Sequence, residues 1–208
     1  MFNRIPPVVK NLLIINTLML LAMSINEEFM LEKFALFYPA SPFFKPYQYI
    51  TYMFMHGGFA HLFFNMYALF LFGSVLEQVW GSKKFFIYYM ITGLGAAAFF
   101  TFTNWLVSTG YSPEQYIDLL RTPTVGASGA VFGILLGYGM LFPNNVLQLL
   151  IPPVALKAKW LVIIYGALEL VLGITAPGSN IAHFAHIGGM LFGFILIKYW
   201  NKKGRMYF

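Results

Sequence analysis

The sequence predicts an all-α membrane protein, a single bundle of six transmembrane helices over residues 1–208 with both termini in the cytoplasm, and three observations predict it. Hydrophobic residues make up 59% of the chain and charged ones only 10%, with a mean hydropathy of +0.70. A water-facing surface needs far more charge than that. Several apolar stretches approach the roughly 20 residues that a helix needs to cross a ~30 Å hydrocarbon core, and they are too continuous for barrel strands. The basic residues, finally, collect at alternate connections between those stretches, as Lys and Arg do in cytoplasmic loops.

The elements follow in order. Pro6-Pro7 opens a helix, since proline is tolerated in the first turn, and span one is the apolar run 8–25, ending before Asn26, Glu27 and Glu28. No small-x-small cleavage site follows it, which argues against a cleaved signal peptide. Residues 31–59 carry Pro39, Pro42 and Pro46 among aromatics, so an interfacial loop is expected there. Span two is 60–80; Gly81-Ser82-Lys83-Lys84 makes a tight turn into span three, 85–107, which holds no charge. The stretch 109–124 is polar, and span four is 125–142. Pro152-Pro153 marks 143–159 as a linker with an interfacial apolar piece. Span five is 160–176, Pro177-Gly178-Ser179 a turn, and span six 180–200.

Charge tests the count independently. Arg4, Lys10, Lys83, Lys84, Lys157, Lys159, Lys198, Lys202, Lys203 and Arg205 fall on one side, ten of the 13 basic residues. Lys33, Lys45 and Arg121 fall on the other with most acidic residues. The net charge of +6 thus marks topology; the basic residues form no stripe of the kind that binds nucleic acid. The absence of cysteine removes disulfides, thiol catalysis and cysteine-ligated metals.

Polar side chains are costly in lipid, so each one in a span is a functional candidate or helix-to-helix glue. The candidates are His61 and Asn65 in span two, Ser128 in span four, Glu169 in span five, and His183 and His186 in span six, with His56 just outside span two. Spans two, four and six all begin on the external side. At 1.5 Å per residue, Ser128 and His61 lie about 5 Å down and His186 roughly 10 Å, so the three can meet. A serine hydroxyl needs a base, and a histidine suits that role. His61 and Asn65, four apart on one helix face, can donate to an oxyanion, and the Ser128 N–H can add a third donor. No acidic residue is predicted at that depth beside His186. A dyad without an orienting carboxylate is therefore expected, and Glu169 is read as a structural hydrogen-bonding group.

Gly129, Gly133 and Gly137, spaced by four, with Gly189 and Gly193 after His186, predict close approach of spans four and six, and Gly193 is expected to share the face that aims His186 at span four. Other readings of these residues exist. A lone serine in a span often bonds back to its own helix, and Gly126-Ala127-Ser128-Gly129-Ala130 is not a nucleophile elbow, which requires glycine where Ala130 stands. His183 and His186 could form a metal half-site with His56 and His61, but no H-E-x-x-H motif supports it, and neither metal nor cofactor is expected.

The chain resembles the rhomboid intramembrane serine proteases. The motifs that carry the resemblance are His56-Gly57-Gly58-Phe59-Ala60-His61-Leu62-Phe63-Phe64-Asn65, Gly126-Ala127-Ser128-Gly129, and Ala185-His186-Ile187-Gly188-Gly189 with Gly193, in matching order and spans. The resemblance covers essentially the whole chain as the basic six-helix form, with no appended soluble domain or seventh helix. It implies that Ser128 is the nucleophile, His186 the general base, and His61 and Asn65 the oxyanion donors. Leu76-Glu77 before Gly81 looks like the family's end of span two. Many members carry a Trp-Arg pair in the first external loop, where Tyr47-Gln48 stands here. The implied function is an endopeptidase of a bacterial cytoplasmic membrane. It would cut transmembrane protein substrates that enter from the bilayer, at a site open to the external side. Two rivals are weighed against it: a catalytically inactive rhomboid-like binding protein, which the retained Ser128, His186, His61 and Asn65 oppose, and a metal or proton transporter, for which no inverted repeat is visible.

Overall fold

The computed structural model describes residues 5–149, 153–175 and 183–204. The expected turn Pro177-Gly178-Ser179, the start of span six at Asn180, Pro152, Arg4 and Arg205 lie outside the described residues.

Helix α1, Pro7–Ile25, begins with proline in its first turn, as expected. The interfacial loop that follows holds two short helices, α2 (Glu27–Phe34) and α3 (Gln48–Thr51), and a 3₁₀ turn at Tyr52–Phe54. Gln48, fully buried, organises this loop. Its side-chain oxygen accepts from the Phe37 and Lys45 N–H groups at 3.4 and 3.1 Å, and its amide donates to the carbonyls of Phe43, Glu32 and Lys33 at 3.0, 3.3 and 3.5 Å. Span two is α4 (Phe59–Ala68), a π-helical turn (Leu69–Gly73) and α5 (Ser74–Trp80) in continuous succession. The turn expected over four residues contracts to Gly81 alone, whose φ of +77° is a left-handed conformation open to glycine. Helix α6, Ser82–Ser108, follows at once. Glu77 ties this corner together by accepting from the N–H groups of Val8 and Val9 at 3.0 and 2.8 Å and from the Ser82 hydroxyl at 2.7 Å.

The polar stretch 109–124 contains α7, Pro113–Arg121, which a capping box between Ser112 and Gln115 starts. Helix α8 is Ser128–Leu141, shorter than the expected 125–142 because Gly126, at φ +136°, cannot continue a helix. The linker after it forms a small antiparallel hairpin, β1 (Val146–Gln148) with β2 (Ala155–Lys157). Helices α9, Ala158–Thr175, and α10, His183–Lys202, complete the fold.

Helical structure thus overlaps each of the expected apolar stretches among the described residues. Among the described residues, four helices are long and apolar enough to cross a membrane: Pro7–Ile25, Phe59–Trp80, Ser82–Ser108 and Ala158–Thr175. Isoleucine, leucine and valine side chains stay exposed along α1 and α9, as an integral membrane protein presents them to lipid. The centre is α6, whose Phe85, Tyr88 and Tyr89 are fully buried. The glycine pattern packs differently from expectation. Gly189 does meet the backbone of Gly129, but Gly133, Gly137 and Gly193 all face Thr92 or Tyr88 of α6. All three small residues on α8 therefore receive side chains of span three, Gly129 through the Ala96 Cβ and Gly137 together with Trp80 and Leu76 of α5, and Gly193 makes room for Tyr88 and Thr92.

Candidate active site

Ser128 is the first residue of α8, not one placed several residues inside the helix. The helix starts there because the chain arrives non-helical through Gly126, whose N–H donates to the Tyr52 carbonyl at 3.0 Å. Val131 makes the first helical bond, to Ala127 at 2.9 Å, so the Ser128, Gly129 and Ala130 N–H groups form the free positive end of the helix. The preceding segment is also fixed: Leu36 and Thr124 exchange backbone hydrogen bonds at 2.9 and 2.8 Å, and the Ser41 hydroxyl donates to the Leu120 carbonyl at 2.6 Å.

His186 enters from α10. Its Nε2 lies 2.8 Å from Ser128 Oγ, a hydrogen bond between two spans that are 58 residues apart. The two helices come this close because Gly189, one turn after His186, touches Gly129: a Cβ on Gly189 would stand 1.9 Å from the Gly129 carbonyl oxygen. Phe132, one turn after Ser128 on α8, stacks flat on the imidazole, with ring centroids 4.3 Å apart at 6°. Sequence reading passed over Phe132, although its i+4 spacing from Ser128 places it on the same face.

His61 comes from α4. A Cβ on Gly126 would lie 3.0 Å from His61 Nε2 and 3.5 Å from Ser128 Oγ, so both side chains border the same small space, which glycine leaves open. The Gly57 N–H donates to His61 Nδ1 at 3.4 Å, which assigns the ring proton to Nε2, on the Gly126 side. Asn65 is buried one turn deeper, and its amide donates to the His61 carbonyl at 3.0 Å. His56 packs edge-on against His61 at 5.0 Å and has no hydrogen-bond partner on either ring nitrogen among the described residues. Burial first, and His61 second, push His56 down to about 3, so it is a neutral packing element.

One expectation is overturned. A carboxylate does stand beside His186: Glu169 Oε2 lies 2.9 Å from His186 Nδ1 and 2.6 Å from His183 Nδ1, and all three residues are buried. The signal was present in the sequence. In the expected topology one turn joins spans five and six, and seven residues back from the expected end of span five is about 10 Å, the depth expected of His186.

These features define an integral membrane protein of helical spans in which a serine at a helix N-terminus is hydrogen-bonded to a histidine of a neighbouring span. The Rhomboid domain family model matches residues 44–202. The chain is 30% identical over 149 residues to Rhomboid protein 1, mitochondrial, of Saccharomyces cerevisiae, covering 72% of this chain and 40% of that protein. It is 30% identical to Rhomboid protease GluP of Bacillus subtilis, covering 70% of this chain and 24% of that one, and 28% identical to Rhomboid protease AarA of Providencia stuartii, covering 69% and 52%. The chain belongs to the rhomboid family. It spans between about a quarter and a half of the length of these relatives.

Proposed function

We propose that this protein is an intramembrane serine endopeptidase that cleaves transmembrane segments of other membrane proteins through an acyl-enzyme on Ser128. The observation that carries the reading is the 2.8 Å contact between Ser128 Oγ and His186 Nε2 at the free N-terminus of α8. The names of the relatives GluP and AarA as rhomboid proteases support it. The proposal includes six spans, both termini in the cytoplasm, and a bacterial cytoplasmic membrane with the site opening to the external side; the distribution of Lys and Arg supports the orientation.

His186 Nε2 takes the Ser128 hydroxyl proton as Oγ bonds to the scissile carbonyl carbon, and the C=O π pair moves to the oxygen. That oxyanion forms where the N–H groups at the start of α8 converge with His61 Nε2–H, and the Asn65 amide adds a deeper donor. The proton on His186 then passes to the amide nitrogen as the C–N bond breaks, which leaves the acyl-enzyme and a free amine. Water gives its proton to Nε2 as it attacks the ester, and Ser128 recovers the proton on leaving. A transmembrane helix hides its carbonyls in hydrogen bonds, so a substrate must unwind locally, which helix-breaking or small residues near the cut favour.

The test is a fluorophosphonate applied to the purified protein in detergent, followed by identification of the modified residue. Labelling at Ser128, lost in Ser128→Ala and His186→Ala together with proteolysis, is the expected outcome. Full proteolytic activity in either folded variant sinks the pair.

A further inference from the structure

We infer that Glu169 is a positioning residue for His186, so that the site works as a Ser128–His186–Glu169 relay with His183 holding the carboxylate from its other side. The inference rests on the protease reading above.

The proton count leads there. A neutral imidazole carries one N–H, and the base must keep Nε2 bare to accept from Ser128, so the ring proton of His186 belongs on Nδ1. That nitrogen faces Glu169 Oε2 at 2.9 Å. The same oxygen is 2.6 Å from His183 Nδ1, a hydrogen bond that pins the carboxylate between two imidazoles whose planes stand 88° apart. The three groups come from two helices, α9 and α10, and are shielded from solvent together.

The contact to His186 is close but not aligned as an N–H···O bond, and Nδ1 of His186 has no other partner among the described residues. Resting catalytic contacts are often misaligned and tighten in the reacting complex. When Ser128 attacks, His186 becomes a cation inside the bundle. An isolated charge there is costly, and the groups that face it are Ser128 from α8, His61 from α4, His183 on its own helix and Glu169 from α9. Glu169 alone among these supplies the opposite charge. It would thereby hold the ring orientation and stabilise the imidazolium without itself taking the proton.

The same trio could be read as a metal site, since its donor atoms lie within 4.8 Å of one another. Two ligands on a tetrahedral zinc with bonds of ~2.0–2.1 Å stand about 3.3 Å apart. The 2.6 Å between His183 Nδ1 and Glu169 Oε2 is instead the separation across a shared proton.

The experiment compares fluorophosphonate inactivation of wild type, Glu169→Gln, Glu169→Asp and Ser128→Ala in detergent, split into kinact and KI, with thermal unfolding of each. Glu169→Gln keeps the size of the side chain and loses its charge. Its kinact should fall on the order of 10²- to 10⁴-fold, the upper end matching the same exchange in a soluble triad, with KI within about twofold because probe binding is untouched. Glu169→Asp should recover at least about tenfold of that loss, since it restores the charge. Three results overturn the relay: a Glu169→Gln kinact within threefold of wild type, a loss that merely tracks lost thermal stability, or wild-type labelling that a chelator abolishes and zinc restores. Absence of Ser128 labelling in wild type overturns the protease reading itself, a result distinct from wild type and Glu169→Gln being labelled equally well.

Discussion

At the crossing of α8 and α10 backbone meets backbone, whereas α9 reaches α10 through side chains. Gly189 lies against the Gly129 carbonyl with no space for a methyl group, and a Cβ on Gly188 would stand 2.6 Å from the Phe99 Cβ and 3.1 and 3.2 Å from the Ala96 and Gly95 backbone of α6. On the α9 side, Gly166 faces only the end of Met190, and Gly173 faces the Phe184 ring and the His183 Cβ. The chemistry divides the same way. Ser128 and His186, fixed by the tight crossing, make an aligned hydrogen bond; Glu169, carried by the looser helix, approaches His186 without alignment. Close packing by small residues fixes a distance, while packing through flexible side chains leaves a helix free to adjust.

The comparison predicts opposite outcomes for one chemical change made in two places. Gly189→Ala puts a Cβ 1.9 Å from a backbone oxygen, so α8 and α10 must separate. Overpacking of this kind costs about 1–3 kcal/mol or more. The larger consequence is for the site, because an ångström added between Ser128 and His186 breaks their bond; labelling of Ser128 should drop about 100-fold or more. Gly166→Ala meets the flexible end of Met190 at 3.1 Å. It should change stability by no more than about 0.5 kcal/mol and leave labelling intact. Thermal unfolding and fluorophosphonate labelling of both variants in detergent check the pair. Equal effects would mean that the two regions are not packed differently.

The same contrast explains what could be read in the sequence. Length and hydropathy placed the helices that are long and apolar enough to cross a membrane within a few residues at their described ends, since crossing fixes how long an apolar run must be. The meeting of Ser128, His61 and His186 was legible because topology and rise per residue set depth. The partners of the glycines were not, since a spacing of four residues says that a helix has a small face but not which neighbour fills it. Thr92 and Tyr88 of α6 take the places assigned to span six. The nearness of Glu169 to His186 was missed for a different reason: its depth was calculable and it is the hydrogen-bonding group expected, but one ionisable residue in a span does not name its partners, here His183 and His186. Gln48 shows a third limit, since a neutral side chain gives no hint in sequence that it will gather a whole loop around itself.

The smallest expected effects lie on α4, the third contributor to the site, and they ask whether it belongs with the tight crossing or the adjustable flank. His61 has its Nε2–H beside the space that Ser128 borders, so it should stabilise charge that appears only during attack. Losing one oxyanion donor costs about 3 kcal/mol, roughly a hundredfold in turnover, in soluble serine proteases, and His61→Ala should approach that. Asn65 lies one turn, about 5 Å, farther along α4. One of its two amide protons is already committed to the His61 carbonyl at 3.0 Å, which leaves a single proton to offer. Asn65→Ala should therefore lower turnover less than His61→Ala, on the order of tenfold, with KM nearly unchanged because the ground state does not use the bond. The measurement is kcat and KM for both variants on a transmembrane substrate in detergent, with Ser128 labelling as the control for an intact pair. Wild-type turnover in both would remove α4 from the oxyanion site. A larger loss in Asn65→Ala than in His61→Ala would reverse their order and put the oxyanion one turn deeper in the bundle than the start of α8.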